Sequence, residues 1–210
     1  VKEFQADKYL FMATNQGTVK KTELLDFDTA RKTGLIAINL EEKEQLIAVR
    51  MTTGEAEILL GTRNGLAIRF AETDVRSMGR TARGVRGIAL GKDDEVVAME
   101  VVVADGDVLT VSEDGLGKRT MVSEYRIQTR GGKGIINLKV TEKTGPVVGF
   151  RIVRPEQEMM LITVDGIIIR FEVDEVSVFG RNSQGVKLMR LDEGDKVVAL
   201  AAVQRKMSDD

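Results

Sequence analysis

The stretch ATNQGTVKKT, Ala13 to Thr22, decides the fold because its pattern returns three times: as GTRNGLAIRF from Gly61, VSEDGLGKRT from Val111 and ITVDGIIIRF from Ile162. Each copy pivots on a glycine (Gly17, Gly65, Gly115, Gly166), which sets a period of about fifty residues. In every copy the glycine follows Gln, Asn or Asp and lies between two β-forming runs. That is the pattern of a tight hairpin whose turn needs positive φ, so the flanking runs are predicted to be antiparallel neighbours.

The register holds beyond the hairpin. Nine residues after each pivot comes an acid (Asp26, Asp74, Glu124, Glu175), then an apolar or aromatic residue (Phe27, Val75, Tyr125, Val176). The acid is predicted to cap a turn or orient a nearby Arg. A second glycine follows (Gly34, Gly84, Gly134, Gly185), leading into the apolar pairs Ile38 and Leu40, Ile88 and Leu90, Leu138 and Val140, and Met189 and Leu191. Alternation at period two predicts a strand with one buried face. The apolar runs LIAVRM, VVAMEVV, VVGFRIV and VVALAAV then close the units. Each repeat is thus predicted to supply four strands, over about 8–54, 55–104, 105–155 and 156–205, with 206–210 as a tail. An all-β, propeller-like array of four-stranded antiparallel blades explains the fixed period, which a sandwich does not.

Composition bounds the chemistry. The 210 residues include no cysteine and no histidine, which removes disulfides, thiol and imidazole catalysis, and the usual zinc ligands. No apolar run reaches the ~18 residues of a membrane helix, and the start VKEFQADKYLF lacks the regions of a secretory signal. A soluble, cytoplasmic fragment of a longer protein is expected.

The formal net charge is -2, yet the cations are clustered. Between Gly61 and Leu90, Arg63, Arg69, Arg76, Arg80, Arg83 and Arg86 stand against only Glu72 and Asp74. The turn that follows is acidic, with Asp93, Asp94, Glu95, Glu100, Asp105 and Asp107. In repeat terms, cations occupy the strand after the hairpin (Lys20 and Lys21, Arg69, Lys118 and Arg119, Arg170) and the loop before the second glycine (Arg31 and Lys32, Arg80 and Arg83, Arg130 and Lys133, Arg181). If the units are radial, equivalent positions fall on one rim. Such a rim suits DNA backbone, which Lys, Arg and exposed N–H groups contact without reference to sequence. Arg126 and Lys187 join the candidate set. The glycines beside these clusters are predicted to let a polyanion approach the main chain. A protein-interaction scaffold with a basic rim is the alternative from another class.

With the repeats aligned, the chain resembles the C-terminal domain of the bacterial DNA gyrase A subunit through essentially its whole length, most specifically in ATNQGTVKKT, GVRGIAL, EDGLGKRT, KGIINLKVTEKTGPVVG and GRNSQGV. The resemblance implies a β-pinwheel whose blades exchange strands and which wraps duplex DNA around a basic rim. It implies that the domain supports ATP-dependent negative supercoiling, with the remainder of the gyrase A polypeptide and the gyrase B polypeptide as partners. It implies no active site or cofactor in this part, ATP and Mg2+ being used elsewhere in the holoenzyme, and a nucleoid-associated location. The family's wrapping motif reads Q-[RK]-R-G-G-[RK]-G. Here Gln128, Thr129, Arg130, Gly131, Gly132, Lys133 and Gly134 give QTRGGKG, with Thr129 replacing a cation. That box characteristically sits in the first of six blades, so its place in the third repeat reads as a degenerate copy, and the chain as the last four blades. The related A-type subunit of topoisomerase IV is the alternative within the same class. Tyr125 shares the repeat slot of Phe27, Val75 and Val176, so packing rather than catalysis is its predicted role.

Overall fold

The computed structural model describes residues 3–29 and 34–203. Each hairpin forms where the pivot glycines predict it. The first two strands of the four repeats are β1 (Tyr9–Thr14) and β2 (Thr18–Glu23), β4 (Glu57–Thr62) and β5 (Leu66–Ala71), β8 (Asp107–Ser112) and β9 (Leu116–Met121), and β12 (Glu158–Thr163) and β13 (Ile168–Glu172). The pivots take φ of +80°, +83°, +76° and +83°, a region L side chains rarely adopt. A single 3-10 turn follows each hairpin, and the recurrent acid lies within it.

The closing runs form β3 (Leu46–Thr52), β7 (Val96–Val101), β11 (Val147–Val153) and β15 (Val197–Val203), each antiparallel to the first strand of its own repeat. The strand after the second glycine is shorter than the period-two alternation predicts, and its placement is the exchange that the resemblance implies. It is only two residues long, as β6 (Val85–Arg86), β10 (Ile135–Ile136) and β14 (Val186–Lys187), and it joins the sheet of the preceding repeat. The sheet orders are β3-β1-β2-β6, β10-β5-β4-β7, β11-β8-β9-β14 and β13-β12-β15. Among the described residues, three sheets therefore have four strands, one of them borrowed from the next repeat, and the last has three. The apolar pairs lie past the borrowed strand, where Ile88, Leu138 and Met189 are buried.

The borrowed strand explains its glycine. A Cβ on Gly84 would stand 2.5 Å from the Val19 carbonyl oxygen, and one on Gly185 only 2.3 Å from that of Gly117. Backbone packs on backbone there, so strand exchange itself requires glycine at these positions.

The chain forms two compact units. The first holds the sheets of repeats 1 and 2 together with Tyr125–Ile135, and its core joins Phe11, Ala13 and Val19 to Ile58, Leu60, Ile68 and Phe70. The second holds the sheets of repeats 3 and 4, with Leu109 and Val111 packed with Met159, Leu161 and Val173. Burying each such side chain contributes about 1.5–3 kcal/mol. Among the described residues, no helix is long and apolar enough to cross a membrane.

Candidate nucleic-acid interface

Each repeat after the first lays a segment across the second strand of the one before. Met78 N–H donates to the Lys21 carbonyl, Gln128 N–H to that of Arg69 and Phe179 N–H to that of Arg119, all at 2.8 Å. This overlay determines which nominated cations reach solvent.

Lys20 and Lys118, three residues past their pivots, are fully buried. The Lys118 ammonium donates to the carbonyls of Gly180 and Arg181 at 2.7 and 2.6 Å, and that of Lys20 to the carbonyls of Ala37 (2.6 Å) and Arg80. Burial pushes both pKa values down to about 8, partly offset by the charges of Asp26 and Glu124. Two of the recurrent acids thus face a buried cation. Glu124 also accepts the Arg181 N–H at 3.2 Å. Both lysines act as internal ties for the following loop.

One position further on, the overlay covers Lys21, Arg69 and Arg119. Lys21 lies 5.1 Å from the centre of the Tyr9 ring, within cation–π range. Arg69 pairs with Glu57 and donates to the Tyr125 carbonyl at 3.1 Å. Arg119 pairs with Asp107 at 3.2 Å and donates to the Val176 carbonyl at 2.7 Å. The equivalent Arg170 is exposed and pairs with Glu158. Tyr125 itself is buried in its packing slot, as are Val75 and Val176.

The arginines four residues before the second glycine staple successive loops. Arg130 donates through Nε to the Asp74 carbonyl and through Nη1 to that of Arg86, each at 2.9 Å. Arg181 repeats the second bond on the Ile136 carbonyl at 2.9 Å. Arg80 is half-buried, and its carbonyl accepts Lys20.

In the first unit the staples bring two cation-bearing loops together. The QTRGGKG loop lies along the repeat-2 segment, with Gly131 N–H on the Gly87 carbonyl (2.6 Å) and Ala89 N–H on that of Gly132 (2.8 Å). Gly131 and Gly134 take φ of +81° and +78°. Gln128 is half-buried, and its Nε2 has no acceptor among the described residues; Thr129, Gly132 and Lys133 are exposed. Arg76 and Arg83 from one loop, Arg86 from the β6 strand that follows it, and Arg126 and Lys133 from the other loop are exposed, Arg83 being paired with Glu41. A cleft of about 530 Å³ between Gln16–Thr18 and Arg83–Leu90 opens beside Arg83 and Arg86. In the second unit Lys187 is exposed, as are Lys139 and Arg190, which sequence reading passed over. Their signal was available, since each alternates with a buried apolar residue, Leu138 or Met189. Arg31 and Lys32 lie outside the described residues, as does the 206–210 tail.

The known relatives agree with this architecture. The family described as DNA gyrase C-terminal domain, beta-propeller, matches residues 8–53, 56–102, 106–154 and 157–204. The chain is 52% identical over 203 residues to the DNA gyrase A subunit of Halalkalibacterium halodurans and 44% identical over 210 residues to that of Escherichia coli K12. It is covered to 97% and 100% in these matches and spans 24% of each relative, about a quarter of its length. Among solved structures it resembles the C-terminal domain of DNA topoisomerase IV (TM-score 0.92, 27% identity, 97% of this chain and 64% of that one). It also resembles the DNA gyrase A C-terminal domain (TM-score 0.86, 28% identity, 96% and 68%). With four consecutive family repeats matched to four sheets, the chain belongs to the DNA gyrase C-terminal domain, beta-propeller, family.

Proposed function

We propose that this chain binds duplex DNA without sequence preference and bends it, as the C-terminal part of a gyrase A polypeptide. The observation that carries the proposal is the pair of adjoining loops in the first unit, whose exposed Arg76, Arg86, Arg126 and Lys133 share one backbone-stapled platform. Fixed cations without base-reading partners suit phosphate contact. Bending a duplex of roughly 20–30 base pairs through 40–90° costs about 1–6 kcal/mol, which spaced cationic loops offset along the arc. On this reading Arg83, Lys187 and Arg170 add exposed charge. Lys20, Lys21, Arg69, Arg80, Lys118, Arg119, Arg130 and Arg181 hold the loops in place.

The chain then serves negative supercoiling from outside the cleavage chemistry, in the bacterial cytoplasm with the chromosome. The rest of the gyrase A polypeptide and the gyrase B polypeptide are its partners, and ATP and Mg2+ are handled elsewhere in the assembly. The high structural likeness to the topoisomerase IV domain favours a second reading as part of that enzyme's A-type subunit. The 44–52% identities to gyrase A keep gyrase first. The test is energy transfer between dyes at the ends of a duplex of about 30 base pairs. Transfer should rise on binding, for unrelated sequences alike; binding without any rise would remove the bending claim.

A further inference from the structure

Each overlay segment has one position that bridges to the strand it covers and still meets solvent. Ser77, Ile127 and Val178 hold it in repeats 2, 3 and 4, bridging to Lys21, Arg69 and Arg119 in turn. Ser77 is exposed, Ile127 is 55% exposed and Val178 46%. Since serine fills the slot in repeat 2, the overlay needs no apolar side chain there for packing. Isoleucine in that slot leaves apolar surface in water, and a partner that covers it gains the burial.

In the first unit, Ile127 is the exposed large hydrophobic side chain, among the described residues, that stands in a cation-bearing loop. Arg126 precedes it and Lys133 follows in the same loop, both exposed. The main chain is fastened on either side of it. The Tyr125 carbonyl accepts Arg69 Nη1 at 3.1 Å, Gln128 N–H donates to the Arg69 carbonyl at 2.8 Å, and the Tyr125 ring is buried. Further along, Arg130 ties the loop to the Asp74 and Arg86 carbonyls. A β-branched side chain is also stiff at χ1. Ile127 therefore presents a fixed apolar point with little freedom left to lose on binding.

A partner that fits this point is anionic where it meets Arg126 and Lys133, and apolar where it meets Ile127. An acidic protein surface satisfies the cations but not the isoleucine. A duplex satisfies both, with phosphates along its edges and sugar faces and stacked bases between them. Proteins that bend DNA from the minor groove use aliphatic side chains in this way, partly unstacking a base step and kinking the duplex there. We infer that Ile127 is a wedge: with Arg126 and Lys133 on neighbouring phosphates, it enters the minor groove and parts one base step. The inference rests on the DNA-binding reading and adds to it, because cations alone imply a smooth arc whereas a wedge concentrates the bend. Val178 has the same slot in the second unit, but its chain neighbours are Ser177 and Phe179, so it lacks the adjoining cation that would seat it on a phosphate.

The test uses duplexes of about 30 base pairs with dyes at both ends and 2-aminopurine, whose emission is quenched by stacking, at several interior positions. On binding of the chain, emission should rise about twofold at the most responsive position, together with end-to-end energy transfer. Ile127→Thr keeps the branched side chain and removes its apolar end. It should lose the emission rise and bend the duplex less, with the salt slope of binding unchanged. Ile127→Lys should bind more tightly, with a slope steeper by about 1, and yet lose the emission rise. Val178→Thr should match the wild type. A wild type that binds without any emission rise overturns the wedge and leaves the DNA reading standing. So does an Ile127→Thr variant that keeps the rise, or an Ile127→Lys variant that bends the duplex as far as the wild type does, since charge alone would then suffice. A chain that does not bind the duplex overturns both readings.

Discussion

Replacing Lys118 by methionine keeps the length and burial of the side chain and removes only its ammonium. In the native structure that group saturates two carbonyls, at Gly180 and Arg181, from a fully buried position. The variant leaves both acceptors without their donor, at about 1–3 kcal/mol each, offset in part because a cation no longer has to be desolvated. A net loss of about 2–4 kcal/mol is expected, and in a chain of this size each kcal/mol lowers Tm by roughly 2–4 °C. The pH dependence gives an independent readout. Burial lowers the Lys118 pKa from 10.5 to about 8, so between those values the unfolded state binds more protons than the native one. Stability linked to this group therefore rises with pH from about 8 to 10.5, and that rise should shrink in the variant, leaving Lys20 as the other source. Thermal unfolding followed by circular dichroism at pH 7, 8, 9 and 10 measures both effects. A variant within about 0.5 kcal/mol of wild type, with the same pH profile, refutes the buried tie.

Three further outcomes are expected. Leu60→Ala, in the middle of the first core, should cost about 2–5 kcal/mol in denaturant unfolding. Gly166→Ala should cost about 1–2 kcal/mol for its positive φ alone, whereas Gly185→Ala should cost clearly more, since its Cβ also meets the Gly117 carbonyl; equal losses would refute the close approach. Arg86→Glu combined with Lys133→Glu should weaken duplex binding and reduce the salt slope by about 1 for each phosphate no longer neutralised, while Asp93→Asn should leave both unchanged in the same gel-shift titration.

The hairpins were legible because a pivot glycine after Asn, Asp or Gln is a local signal, and positive φ at Gly17, Gly65, Gly115 and Gly166 is a local consequence. Strand exchange was not readable from spacing. The second glycine marks a contact with another repeat, and nothing in its neighbours states which repeat. The covering of Lys21, Arg69 and Arg119 was hidden for the same reason, since the covering segment comes 56 to 59 residues later in the chain. For Lys20 and Lys118 a signal was present and passed over: the same register holds Ile68 and Ile169, which marks an inward position. Arg76, Arg126 and Lys133, in loops, and Arg86, at the end of the short β6, were legible as exposed cations.

The most direct test of the DNA-binding claim is the affinity for unrelated duplexes as a function of salt. Five to seven exposed cations, each neutralising one phosphate, give a slope of log affinity against log salt of about -4.5 to -6.3. That slope should be the same for every sequence tried. Affinity that stays constant from low to moderate salt, or that depends strongly on sequence, would contradict a backbone-binding platform.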